Sequence, residues 1–209
     1  MKGTRERILD KAEKLFALKG YENVSVREIT KLVKCNPALI NYYFQSKRNL
    51  YTAVFKERVI PRAKRIHKRF FSLVEKNYPS SPEKVIEYLT DAFFKSPLSK
   101  KELHIHFFLI AREIFSQSEV WELFIKDAAN LLFSKLTSIL KTFYPDANEK
   151  ELVLFVFSIF FQIVHFNIGK ENFSKFLNID DKNELIKVLS SHIIKFSVSG
   201  LNSLKGDID

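Results

Sequence analysis

Apolar residues return along this chain every three or four positions, and no run alternates strictly between apolar and polar, so the pattern predicts helices and no sheet. Ile8, Ala12, Leu15 and Phe16 make a first stripe, which Gly20 ends. Ser25 and Glu28 have capping-box spacing, and Ile29, Leu32 and Val33 bury the helix that follows. Asn36-Pro37 restarts the chain for a short helix from about Pro37 to Phe44, because Asn caps well and Pro loses no hydrogen bond at a first helical position. Ser46 opens a longer helix that runs into the seventies. Pro79 to Pro82 ends it and starts another, which Pro97 closes; Ser99 with Glu102 caps the next. Ser118 opens a helix ending near Tyr144-Pro145, Asp146 with Glu149 begins a stretch through Ile168, and Asp181 with Glu184 starts the last. The expectation is an all-α protein of about nine helices, with residues 201–209 fraying as a tail.

Composition narrows the function. One Cys among 209 residues forms neither an intramolecular disulfide nor a cysteine-rich zinc site, and no apolar leader follows Met1, so a reducing, cytoplasmic setting is expected. Charge is unevenly placed. Met1 to Phe70 holds 18 Lys/Arg against 6 Asp/Glu, while the rest holds 16 against 18. The first third is therefore built to meet a polyanion.

Within that basic third, three short helices with a tight turn between the second and third describe a helix-turn-helix unit. Ile40 and Phe44, four apart, pack inward, which leaves Asn36, Pro37, Ala38, Asn41 and Tyr42 facing outward on a helix that fits a major groove. The run from Ile8 to Leu50, above all Tyr-Tyr-Phe-x-Ser-Lys-x-x-Leu from Tyr42, resembles the DNA-binding domain of the TetR family of transcriptional regulators. Lys34 stands where that family's turn often has Gly, and Asn41 where Tyr is frequent.

The resemblance implies an N-terminal DNA-binding domain over residues 1–48, then a helical effector-binding and dimerisation domain over 49–200. It makes Asn41 and Tyr42 the candidates for base edges or adjacent phosphates, with Pro37 and Ala38 against a thymine methyl. Asn36 lies on the same exposed face, and Lys47 matches the family's phosphate-contacting Lys at a helix start. Arg27, in the first turn of the second helix, is placed to hold the backbone or reach a base. Further on, Arg58, Arg62, Arg65 and Arg69 share one helical face, read as a solvated surface in preference to an anion-binding ridge.

Leu152 to Ile168 is 17 residues without a formal charge, short for a membrane span of about 20 residues and apolar nearly all round. Burial against a second copy, together with the last helix, suggests a four-helix homodimer interface through Phe155, Ile159, Gln162, Leu185, Leu189, Ile193 and Phe196. Ser158, Gln162 and His165 lie along one face, either lining a cavity or, preferably, hydrogen-bonding across the dimer. The family implies an effector pocket, for which Phe107, Phe108, Arg112, Trp121, Gln162 and His165 are candidates; Arg112, in an apolar run, needs Glu87, Asp91 or an anionic ligand as partner. His104 and His106 share no helical face, so no metal site is expected there, and Cys35 reads as packing. No phosphate loop or nucleophile triad appears, so neither a cofactor nor an enzymatic activity is expected. The reading is a ligand-responsive repressor binding a palindromic operator as a homodimer. The alternative is an effector-free DNA-binding protein whose C-terminal domain only dimerises, with a membrane-surface role as a third possibility.

Overall fold

The computed structural model describes residues 3–116 and 118–204, and these contain ten helices and no strand. They are α1 Thr4–Lys19, α2 Val26–Val33 and α3 Ala38–Phe44, followed by α4, which opens as Lys47–Val54, passes through a π turn at Phe55–Val59 and continues as Ile60–Lys76. Next come α5 Pro82–Phe94, α6 Lys100–Ile114 and α7, which runs as Glu119–Phe124, a second π turn Ile125–Ala129 and Asn130–Phe143. The chain ends with α8 Glu149–Ile168, α9 Lys170–Leu177 and α10 Lys182–Asn202. The expected tail begins inside α10, whose Leu201 is buried, and residues 205–209 lie outside the described residues.

The additional helix is α9. It is short, and none of its residues is buried although Phe173, Phe176 and Leu177 have helical spacing; Gly169 is the junction before it. Capping follows the predicted chemistry with two changes. Ser25 Oγ accepts from the Glu28 amide at 3.1 Å, but the Glu28 carboxylate pairs with Lys19 Nζ at 2.5 Å instead of returning to the cap. The start of α8 is capped by Asn148, not Asp146. Ser99 and Glu102 form the full reciprocal box, at 3.2 and 3.0 Å.

The chain packs as two compact units, Met1–Lys64 with Leu98–Ala128, and Arg65–Pro97 with Ala129–Asp209. These limits do not coincide with a boundary at residue 48. In the first unit α1 packs against α2, α4 and α6. Its core holds Ile8, Leu9, Phe16, Ile29, Ile40, Leu50 and Phe55, all fully buried, each contributing about 1.5–3 kcal/mol by leaving water. Leu32, expected inside, is half exposed.

The arginine face of α4 is not a solvated surface. Arg62 and Glu13 form a buried ion pair, with Glu102 Oε1 3.6 Å from Arg62 Nε. Arg58 pairs with Glu6 and Asp10 of α1. Removing one member of a buried pair leaves the other charge uncompensated at a cost of about 3–5 kcal/mol, so these arginines fasten α1 to α4.

In the second unit α5 lies along α10, and α8 packs against α10 and the later part of α7. Phe160 meets Phe93 and Phe133 edge to face, with centroids 6.1 and 5.2 Å apart. Among the described residues α8 is the one helix long and apolar enough to cross a membrane. Here its Leu152, Val156, Ile159, Phe160, Ile163 and Val164 form part of the unit's core.

The predicted interface residues divide. Ile159, Leu185, Leu189 and Ile193 are buried within their own chain, so they have almost no surface left for a partner. Phe155 packs against Gly200, where an added Cβ would sit 2.9 Å from its ring. Gln162 Nε2 lies 3.4 Å from the Ser158 carbonyl and 3.5 Å from Ser197 Oγ, all within one chain. Phe196 alone of the set is well exposed, at 64%. The apolar surface that α8 and α10 leave open is instead Leu154, Phe161, Val188 and Phe196.

Candidate nucleic-acid interface

The geometry of the basic head is set by its turns. Lys34 ends α2 in the left-handed region at φ 58° and ψ 57°, which is why Gly suits this position. Asn36 then closes a small loop: its Oδ1 accepts from the Ala38 amide at 2.8 Å and launches α3. Gln45, at φ 66°, ends α3 and allows Ser46 to cap α4 by accepting from the Asn49 amide at 3.0 Å. Two consecutive helices are thereby aimed from a rigid core into which Ile40 and Phe44 insert.

The outer face of α3 is free. Asn36, Pro37, Ala38, Asn41 and Tyr42 are all exposed, Tyr42 at 77%. The side chain of Asn41 has no hydrogen-bond partner among the described residues, and Tyr42 is braced only through its ring, 4.9 Å edge to face from Tyr43. Tyr43 is half-buried and braces Tyr42. Arg27 is exposed at the start of α2, its guanidinium without a protein partner among the described residues.

Lys47 is the first residue of α4, and its Nζ sits 4.2 Å above the Tyr21 ring. Tyr21 in turn lies 5.1 Å from Tyr51, so an aromatic stack holds the ammonium near the free amides of the helix start. Sequence reasoning missed Tyr21; its only signal was an aromatic residue directly after the Gly20 stop.

Tyr51 ties α4 to α6. Its hydroxyl donates to Glu113 Oε1 at 2.5 Å, and Ser116 and Ser118 donate to the other carboxylate oxygen. Burial, then the bond to Glu113, raise the phenol far above its usual range, so it stays protonated and able to donate. Arg112 takes a partner the sequence did not suggest. It donates through Nε to the Ala17 carbonyl at 3.0 Å and through Nη2 to that of Leu18 at 2.8 Å, capping the end of α1 in place of pairing with Glu87 or Asp91.

Of the remaining pocket candidates in the first unit, Phe107 is buried, while Phe108 lies against His104, tilted, at 4.4 Å and Trp121 stacks on Phe124 at 5.5 Å. Gln162 and His165 belong to the second unit. No group of metal-ligating side chains is present among the described residues.

Comparison with known proteins agrees with this arrangement. Residues 8–54 match the family described as bacterial regulatory proteins, tetR family. Residues 82–201, more than half of the chain, match the C-terminal domain of the HTH-type transcriptional dual regulator CecR. The chain belongs to the TetR family. As a TetR-family protein it is a helix-turn-helix, DNA-binding transcriptional regulator and not an enzyme. The probable HTH-type transcriptional regulator YttP of Bacillus subtilis is 41% identical over 54 residues, 26% of either chain. The HTH-type transcriptional repressor NicS of Pseudomonas putida is 38% identical over 53 residues, 25% of either chain. The chain thus aligns with about a quarter of the length of these curated relatives. Over nearly the whole length it is similar to the crystal structure of HlyIIR, a hemolysin II transcriptional regulator, at 26% identity and a TM-score of 0.58, covering 90% of this chain and 97% of that one.

Proposed function

We propose that this TetR-family regulator is a cytoplasmic repressor that binds a palindromic operator as a homodimer and leaves it when a small effector is bound. One observation carries the DNA reading: Asn41 and Tyr42 on α3 and Arg27 at the start of α2 are exposed on the basic head with their polar ends unpaired by protein among the described residues. The homodimer rests on the apolar surface of α8 and α10, where Leu154, Phe161 and Phe196 are exposed at 66%, 40% and 64%. An effector releases DNA only by preferring the arrangement that does not fit the operator, since equal affinity for both shifts nothing.

The test is selection of genomic fragments by the full chain, with the oligomeric state measured by light scattering. Enrichment of a single palindrome by a dimeric protein, silencing a reporter placed behind it, is the expected result. Indifference to sequence, or a monomer at working concentrations, overturns the proposal.

The capping role of Arg112 favours a second reading, because it removes the best polar anchor expected for an effector. In that reading the C-terminal part only dimerises, and an operator complex left intact by a panel of aromatic and anionic metabolites would support it.

A further inference from the structure

The first unit carries one acid from a distant helix onto the surface of the basic head. Met1 to Phe70 has six acids of its own, and five of them, Glu6, Asp10, Glu13, Glu28 and Glu57, are engaged by Arg58, Arg62, Lys19 and Arg5. Arg48, the second residue of α4, takes its partner from elsewhere. Its Nη2 pairs with Oε1 of Glu119, the first residue of α7, and both residues belong to the first unit. The surrounding bonds hold this pair in place. Ser118 caps α7 by accepting from the Trp121 amide at 3.1 Å, and its hydroxyl donates to Glu113. Glu113 also accepts from Tyr51, three positions beyond Arg48 and its neighbour on the surface of α4. Arg112, next to Glu113, is bonded to the Ala17 and Leu18 carbonyls at the end of α1. The start of α7 is thereby fastened to α1 and α4, with Glu119 beside Arg48.

The pair is also easily exchanged. The side chains of Arg48 and Glu119 are 64% and 74% exposed, whereas those of Arg62 and Glu13 are 9% and 5%. Water screens an exposed pair, which shifts an equilibrium by about fivefold at most, so an incoming phosphate can displace the carboxylate. Arg62 has no such exchange open to it, because its partner would be left charged and buried. Arg48 follows Lys47 directly in the first turn of α4, on the side of the head that carries the Lys47 ammonium above Tyr21. A guanidinium there takes two phosphate oxygens through parallel N–H donors, which the Lys47 point charge does not do.

We propose that Arg48 is a second phosphate contact of the head and that Glu119 is its built-in competitor, an inference that rests on the proposed docking of this head on a duplex. When DNA arrives, Arg48 trades one anion for another. The phosphate releases a counterion, and the freed Glu119 carboxylate takes one up, so the exchange adds little affinity and almost no salt dependence. Glu119 thereby sets how much of the head's positive charge the duplex meets. It holds down attraction to every sequence alike and leaves the base contacts of α3 untouched, which raises the share of binding that depends on sequence.

Fluorescence anisotropy of a short mixed-sequence duplex, titrated with the full chain over a range of salt, tests it. Glu119→Gln keeps the size of the side chain and removes its charge. This variant should bind at least twofold and up to about fivefold tighter at low salt, and its slope of log K against log salt should be steeper by about 0.9, for one further phosphate neutralised. In an Arg48→Ala background the same substitution should keep less than half of that gain and leave the slope unchanged. Both side chains are exposed, so all the variants should melt as the wild type does. A gain below about twofold or an unchanged slope in Glu119→Gln overturns the inference. So does a gain that survives by more than half without Arg48, which would make Glu119 a plain repulsive charge. Lys47→Ala, run alongside, separates the two readings. Duplex binding that weakens in Lys47→Ala but ignores Glu119→Gln defeats the competitor alone, whereas a wild type that binds no duplex defeats the docking of the head as well.

Discussion

Lys47 and Asn41 divide the work of recognition between charge and pattern. Lys47 is a point charge held over Tyr21, and a phosphate contact of this kind attracts every sequence alike. Lys47→Ala should weaken binding to all duplexes and reduce the slope of log K against log salt by about 1. Asn41→Ala should instead flatten discrimination among operators, by about 1–3 kcal/mol at the base it reads, with an unchanged salt slope. Reversed outcomes for the two variants would reverse the roles.

A different residue governs the acid limit of stability. His67 is buried beside Phe93, and burial lowers its pKa to about 4. The unfolded chain takes up a proton near pH 6.5 that the folded chain refuses until about pH 4, so this contribution is complete above pH 6.5 and is lost as the pH falls through that window. The expected loss is about 2 kcal/mol by pH 5. Urea unfolding of the wild type and of His67→Leu at pH 7.5 and 5 should show a smaller drop in the variant; equal drops would remove His67 as a source.

Among the elements, the turn between α2 and α3 is one whose residue disagrees with its backbone. Lys34 adopts φ 58°, where a Cβ costs about 1–2 kcal/mol, yet Gly also gives more freedom to the unfolded chain. Lys34→Gly should therefore leave stability unchanged or raise it by up to about 1 kcal/mol, while Lys34→Val should lower it by about 1 kcal/mol or more, since a branched Cβ tolerates this region least. Thermal unfolding of the two variants checks the sign. The legibility of the other elements follows the same logic of local cause. Ser99 with Glu102 and Asp181 with Glu184 could be read as helix starts because a cap is a contact between near neighbours in sequence. The helix α9 was harder to read, because its apolar positions Phe173, Phe176 and Leu177 span barely one turn and no side-chain cap marks its start.

At the level of the molecule, the exposed apolar surface of α8 and α10 bears on association. Phe161→Asp with Phe196→Asp should turn a dimer into a monomer and cost at least a hundredfold in operator affinity, since half-sites would then be bound separately. Light scattering and gel-shift titration measure both. An unaltered dimer would place the interface elsewhere.

The amino-acid pattern by itself determined that the chain is helical, where most helices start and stop, and which short segment on a basic head faces outward, because each depends on neighbours within about four positions or on summed charge. Only the tertiary structure decided the partners of long side chains. Arg112 reaches carbonyls 95 and 94 positions away, Arg62 meets Glu13 49 positions away, and Tyr51 meets Glu113 across 62. It also decided which side of a doubly apolar helix turns inward: Ile159 lies in the core and Phe161 at the surface, although both look equally apolar in sequence. Spacing fixes which residues share a face, but the packing of distant elements chooses the face that is covered.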